Sequence, residues 1–169
     1  MRVRTAVFAS GGGSNLQALI DGARDGRAFE IGLVVSDRVD SGALQRARDA
    51  GIPALHLPVS GRDAEEVAEE TLAALDANAI ALVALAGYLR LVPARMTSAF
   101  RRRMVNIHPA LLPAFGGPGM YGERVHAAVL AAGCRVSGAT VHWVDEEYDR
   151  GGIIAQWPVP IFPADTPAS

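Results

Sequence analysis

The stretch "FASGGGSNLQALI", residues 8–20, joins an apolar run to a segment of helical period through three consecutive glycines. Glycines let the backbone turn tightly and expose its N–H groups, and the start of a helix favours an anion, so the pattern indicates a phosphate-binding loop. Ser14 is the expected N-cap, and Gln17 completes a capping box three residues later. A glycine turn also forms for steric reasons alone, and both readings stay open. The spacing fits neither the dinucleotide-binding fingerprint nor the Walker loop.

Short apolar runs and longer segments of helical period go on alternating along the chain. This pattern predicts an α/β fold with a Rossmann-like, open, mostly parallel sheet and flanking helices. We expect strands at residues 3–9, 30–36, 53–57, 80–86 and 104–108, and helices at 14–25, 42–50 and 63–76, with a shorter one after Pro93.

The last third of the chain has a different pattern. Residues 123–133 predict a helix, and residues 138–144 and 153–161 predict strands separated by the acidic loop "DEEYDRGG". Because no helix lies between those two strands, we expect them to pair antiparallel. No repeat, low-complexity tract or linker divides the sequence, so we expect a single domain over residues 1–169.

The composition narrows the class of protein. Of 169 residues, 50% are hydrophobic and 20% charged, with a formal net charge of −2, which argues against disorder and against sequence-independent nucleic-acid binding. Small polar or anionic ligands fit this composition. Cys134 is the one cysteine, which excludes an internal disulfide and agrees with a cytoplasmic location. No run reaches the ~20 apolar residues that span a bilayer, so a soluble protein without membrane contact is expected.

The segment "RMVNIHPALLPAF", residues 103–115, places an amide and an imidazole two positions apart in a predicted strand. Alternate residues of a strand point the same way, so Asn106 and His108 should project side by side at the strand end. They are either a capped strand end or part of a reaction centre. His142 on a later strand, the acidic loop and Arg90 favour catalysis, since ligands bind at the carboxyl ends of parallel strands.

The other reactive side chains are more simply structural. His56 falls in a short apolar strand and His126 on an alanine-rich helix. Cys134 has no neighbouring base in the sequence, so it is predicted to be an inert thiol. No histidine pair has metal-ligand spacing, so no metal site is expected.

Four segments together resemble one enzyme family. "SGGGSNLQALI", "ALAGYLRLV", "VNIHPALLPAF" and "GATVHWVDEEYDRGGIIAQ", in this order and spacing, are similar to the phosphoribosylglycinamide formyltransferases of purine synthesis, across essentially the whole chain. The resemblance implies the formyltransferase fold and transfer of a formyl group from 10-formyltetrahydrofolate to the amine of glycinamide ribonucleotide. It implies no metal, small-molecule substrates, and a monomer or homodimer.

The resemblance also assigns residues to roles. Gly13, Ser14 and Asn15 match the loop that holds the nucleotide phosphate, and Asn106, His108 and Asp149 match the catalytic trio. The residues that match folate-contacting positions are Arg62, Leu89, Arg90, Leu91, Val92, Asp145, Glu146, Glu147, Tyr148 and Asp149. In this reading, Asn106 and protonated His108 donate to the oxyanion of a tetrahedral intermediate while Asp149 favours the imidazolium.

Two departures from the family pattern stand out. The turn "AFGGPGMYGERVH" is longer than usual, so its substrate contacts are expected to be rearranged, and the final helix that members usually carry has no counterpart in these 169 residues. The alternatives are a formyltetrahydrofolate hydrolase, a transfer-RNA formyltransferase, and a folate- or nucleotide-binding module without turnover. The glycine loop and the chain length argue against the first two.

Overall fold

The computed structural model describes residues 2–26 and 28–169. Every predicted helix and strand is present, with ends within two residues of the prediction. The elements in chain order are β1 (Val3–Phe8), α1 (Ser14–Arg24), β2 (Phe29–Ser36), α2 (Gly42–Asp49), β3 (Ala54–His56), α3 (Ala64–Ala77), β4 (Leu82–Leu85), α4 (Ala94–Ala99), β5 (Met104–His108), α5 (Glu123–Ala131), β6 (Val136–Trp143) and β7 (Ile153–Pro160).

The strand order of the sheet is β3-β2-β1-β4-β5-β6-β7. β1 pairs in parallel with β2 and β4, and β2 pairs in parallel with β3. β6 pairs antiparallel with both β5 and β7. The predicted Rossmann-like sheet with an antiparallel C-terminal pair is therefore confirmed, and the β5–β6 pairing extends the antiparallel part by one strand.

The chain divides into two compact units, residues 1–104 and 105–169. The expectation of one domain over 1–169 stays a prediction. In the first unit, the ends of β1 and β2 are buried and carry Val7 and Val34, as parallel strands covered on both faces do. Leu16 and Ile20 of α1 and Leu44 of α2 pack in the same core cluster.

The start of α1 differs from the predicted capping box. The N-cap is Gly13, in the left-handed conformation with φ 75°, and no side chain caps the helix. A capping box needs an N-cap in the β region, so a left-handed residue at this position excludes it. Gln17 instead donates from Nε2 to Asp21 Oδ1 at 3.0 Å and accepts from Arg46 Nη1 at 3.1 Å.

In the second unit, Val125 and Val129 of α5 pack against Ala110, with Cys134 half-buried beside them. Every residue of β7 is exposed, and Trp157 is 76% exposed. Among the described residues, no helix combines the length and the apolarity that crossing a bilayer requires.

Candidate active site

One carboxylate joins the two side chains that the sequence singled out at the end of β5. Asp149, in the loop between β6 and β7, has Oδ1 3.3 Å from Asn106 Nδ2 and Oδ2 3.4 Å from His108 Nδ1. The structure thus brings the predicted trio together. The backbone of Asp149 is left-handed, with φ 57°, a conformation that aspartate tolerates better than most residues.

The imidazole of His108 is enclosed, with 3% of its side chain exposed. Its Nε2 lies 2.8 Å from the carbonyl oxygen of Phe115. Because a carbonyl can only accept, Nε2 carries the hydrogen of this bond. Nδ1 faces the Asp149 carboxylate, so each ring nitrogen of His108 has an oxygen acceptor in front of it.

A fourth residue, His142, completes what we call the Asp149 cluster: Asn106, His108, His142 and Asp149. His142 lies opposite Asn106 in the β5–β6 register, and its Nδ1 donates to the carbonyl oxygen of Trp143 at 2.8 Å. In the neutral ring Nε2 is then an acceptor, and Asn106 Nδ2 lies 3.0 Å from it. The amide nitrogen of Asn106 therefore faces both His142 and Asp149.

From the sequence alone, His142 supported catalysis but had no predicted contact. The missing signal was the antiparallel pairing of β5 with β6, because that register places His142 directly across from Asn106.

Several groups stabilise the charge of Asp149. Burial alone would raise the pKa of this carboxyl, yet the pKa lies below its usual value. When His142 is protonated, its Nε2 donates toward Asp149 Oδ1, 3.5 Å away. This hydrogen bond, the N–H of Gly117 and the charges of the His108 and His142 rings in their protonated forms together outweigh burial. The side chain of Asp149 is 9% exposed, so its charge depends on these partners rather than on water.

The turn after Pro113 contributes directly to this cluster. The carbonyl of Phe115 accepts from His108, and the N–H of Gly117 donates to Asp149 Oδ2 at 2.9 Å. Both residues have positive φ, 56° for Phe115 and 99° for Gly117. The turn therefore holds two members of the Asp149 cluster.

In the first unit, the glycine loop turns its carbonyl groups toward α2. The carbonyl of Gly11 accepts from Ala43 N at 3.2 Å, and that of Gly12 accepts from Arg46 Nε at 2.8 Å. The N–H groups of residues 12–16 make no hydrogen bond within the described part of the chain. Successive unpaired N–H groups at a helix start form an anion-binding concavity. Gly13, Ser14 and Asn15 lie in this concavity.

The segment Leu89–Val92 follows β4 as an irregular loop. The N–H of Leu89 donates to Ser10 Oγ at 3.0 Å, so this group has a protein acceptor. Arg90 Nε lies 2.7 Å from Asp37 Oδ2, and the Asp37 side chain is only 2% exposed. Leu89 and Leu91 are exposed, whereas Val92 is buried.

The remaining predicted folate contacts lie in two loops, one in each unit. Arg62 precedes α3 and pairs with Glu70 at 2.8 Å. In the acidic loop, the N–H of Glu147 donates to Asp145 Oδ1 at 3.0 Å, and Glu146 and Tyr148 are exposed. The roles predicted for these residues stay predictions.

Comparison with known proteins places this geometry in a family. Residues 3–169 match the formyl transferase family. The chain belongs to the formyl transferase family. A chloroplastic phosphoribosylglycinamide formyltransferase of Arabidopsis thaliana is 46% identical over 169 residues, covering 98% of this chain and 58% of the relative. A phosphoribosylglycinamide formyltransferase of Haemophilus influenzae is 37% identical, covering 96% of this chain and 76% of the relative.

A solved member of the family has the same fold. The crystal structure of glycinamide ribonucleotide transformylase 1 from Symbiobacterium toebii aligns with a TM-score of 0.90 and 43% identity, covering 99% of this chain and 77% of that one. The chain spans only part of the plant relatives that it matches, between half and three-fifths of their length.

Proposed function

We propose that this formyl transferase moves a formyl group from 10-formyltetrahydrofolate to the amine of glycinamide ribonucleotide, in purine synthesis. The observation that carries the proposal is the Asp149 cluster, in which one carboxylate bridges an amide and an enclosed imidazole. The names of the similar proteins from Arabidopsis and Haemophilus support the choice of substrates.

The reaction forms one carbon–nitrogen bond and breaks another. The amine lone pair attacks the formyl carbon, and the carbonyl electron pair moves to the oxygen, giving a tetrahedral intermediate with an oxyanion. Collapse of the oxyanion breaks the bond between that carbon and N10 of the folate. The proton lost by the attacking nitrogen ends on N10, so the exchange needs no metal and no redox partner.

His108 and Asn106 are the proposed oxyanion donors. Both already have protein partners, because Nε2 of His108 bonds to Phe115 and Nδ2 of Asn106 faces His142 and Asp149. Substrate binding must therefore exchange a protein acceptor for the oxyanion. The 3.3 Å contact between Asn106 and Asp149 is longer than the 3.0 Å contact with His142, so it is the one we expect to yield.

Asp149 has two proposed tasks. Its carboxylate stabilises the imidazolium form of His108, which makes the ring a charged and stronger donor. It also orders a water molecule that carries the proton from the attacking amine toward the folate nitrogen.

We propose contacts with the phosphate and the folate for each of the two units separately. In the first unit, Gly13, Ser14 and Asn15 bind the substrate phosphate through backbone N–H groups, while Leu89–Val92 and Arg62 contact the folate. In the second, the loop from Asp145 to Asp149 contacts the folate. The cytoplasmic location, the monomer or homodimer, and the absence of a metal stay predictions.

An absorbance assay of the folate product tests the proposal. The chain is incubated with 10-formyltetrahydrofolate, with and without glycinamide ribonucleotide, and His108→Ala serves as the inactive control. We expect product only when the ribonucleotide is present. Equal product without it would identify a hydrolase, product only with methionyl transfer RNA would identify the transfer-RNA enzyme, and folate binding without any product would identify a binding module. Each of these results would overturn the proposal.

A further inference from the structure

The side chain of Arg46 in α2 links the glycine loop to the start of α1 through hydrogen bonds. Its Nε donates to the carbonyl of Gly12 at 2.8 Å, and its Nη1 donates to Gln17 Oε1 at 3.1 Å. The Gln17 amide is itself held by Asp21 at 3.0 Å. A half-buried guanidinium is thereby fixed against the loop and against the first turns of α1.

The position of this guanidinium controls where the N–H groups of the loop point. In a trans peptide the C=O and the following N–H point in opposite directions. Because the Gly12 carbonyl is turned toward Arg46, the N–H of Gly13 points away from α2. The Gly11 carbonyl accepts from Ala43 N at 3.2 Å, so the N–H of Gly12 points the same way. Both N–H groups therefore face away from α2, and neither has an acceptor within the described residues.

Close packing keeps α2 in register with the loop. A Cβ on Gly13 would lie 2.8 Å from the Cα of Ala43, and a Cβ on Gly42 would lie 2.9 Å from the carbonyl oxygen of Gly12. The loop therefore touches α2 through backbone atoms. Arg46 is the side chain that fixes the central carbonyl of this contact.

We propose that Arg46 is a positioning residue for phosphate: it holds the Gly12 carbonyl and so aims the Gly13 N–H at the phosphate of the substrate. This inference rests on the proposed function for the identity of the phosphate-bearing substrate. Its mechanism, the orientation of one peptide by a guanidinium, requires only that the loop binds a phosphate group.

The test compares Arg46→Met with Arg46→Lys and with a matched control, Arg48→Met, on the same helix. Arg48 is exposed, and its side chain makes no hydrogen bond or ion pair within the described residues. The first measurement is a titration with inorganic phosphate, in which NMR monitors the amide signals of Gly12 and Gly13. We expect phosphate to shift both amides in the unchanged chain, about tenfold weaker binding in Arg46→Met, a smaller loss in Arg46→Lys, and no change in Arg48→Met.

The second measurement is steady-state kinetics with glycinamide ribonucleotide and with the same compound lacking its phosphate. Arg46→Met should raise KM for the phosphorylated substrate about tenfold, leave kcat within about twofold, and leave KM for the dephosphorylated one unchanged. A helix that was merely loosened would raise both KM values, and that result, or unchanged phosphate affinity in Arg46→Met, would overturn the inference. If phosphate binding depends on Arg46 but the chain transfers no formyl group, only the proposed function is refuted.

Discussion

In the glycine loop, the N–H groups of residues 12–16 have no acceptor within the described part of the chain, whereas in the Asp149 cluster both nitrogens of His108 face protein oxygens. Both regions are suited to negative charge. The loop presents donors that are already open to an anion, while the cluster holds its own anion, Asp149, and must exchange partners to stabilise another. If the loop binds the phosphate and the cluster performs the chemistry, as proposed, binding requires little rearrangement of the protein whereas catalysis requires some.

The largest expected effect comes from breaking the cluster. His108→Ala removes a proposed oxyanion donor, and turnover should fall on the order of a hundredfold or more, because an oxyanion donor acts mainly in the transition state. Dissociation constants for both substrates, measured by calorimetry, should change little. His126→Ala on α5 is the matched control and should keep full turnover. A normal kcat in the His108 variant, with the fold intact by circular dichroism, would rule out this assignment.

A second change tests whether the loop is as rigid as the comparison implies. Gly13→Ala places a Cβ in the left-handed region, at φ 75°, and 2.8 Å from the backbone of Ala43. We expect a loss of about 1–3 kcal/mol in the free energy of unfolding, measured with urea, because neither the backbone strain nor the close contact is easily relieved. Gly12→Ala is the control, since a Cβ there meets nothing within 4 Å. Equal stability of the two variants would show that the loop yields.

The smallest effect concerns pH and the charge of the cluster. The pKa of Asp149 is lowered in the folded chain, so the carboxylate stabilises the fold above its unfolded pKa of about 3.9, and this contribution is lost as pH falls through the folded value. Asp149→Asn keeps a side chain that tolerates positive φ but removes the charge. The stability gap between the parent chain and the variant, from urea unfolding, should be wider at pH 7 than at pH 3. A gap independent of pH would show that the charge does not matter.

Much of this architecture could be predicted from the sequence. The hydrophobic pattern located every helix and strand. Every element except β7, whose residues are all exposed, has buried or half-buried residues, and its apolar spacing records that burial. The proximity of Asn106 and His108 followed from the two-residue period of a strand. The place of Asp149 rested on the family resemblance, since a loop residue carries no periodic signal.

The errors lie where tertiary contacts override local rules. The sequence "GSNLQ" fits a capping box, yet Gly13 takes the N-cap position with φ 75°, where α2 lies too close for a residue with a Cβ. The contacts that the turn after Pro113 makes with His108 and Asp149 were also beyond prediction. Phe115 and Gly117 reach the cluster through positive φ values, which glycine content suggests but does not locate.

The prolines of β7 have a consequence for how copies of the chain associate. β7 ends the strand order, and all of its residues are exposed. Pro158 and Pro160 lie on the same side of the strand's alternation, and proline is tolerated in an edge strand where the missing N–H would have faced away from the neighbouring strand. Two successive outward donors are therefore missing at this end of β7, which weakens the ladder that a strand from another copy could form there.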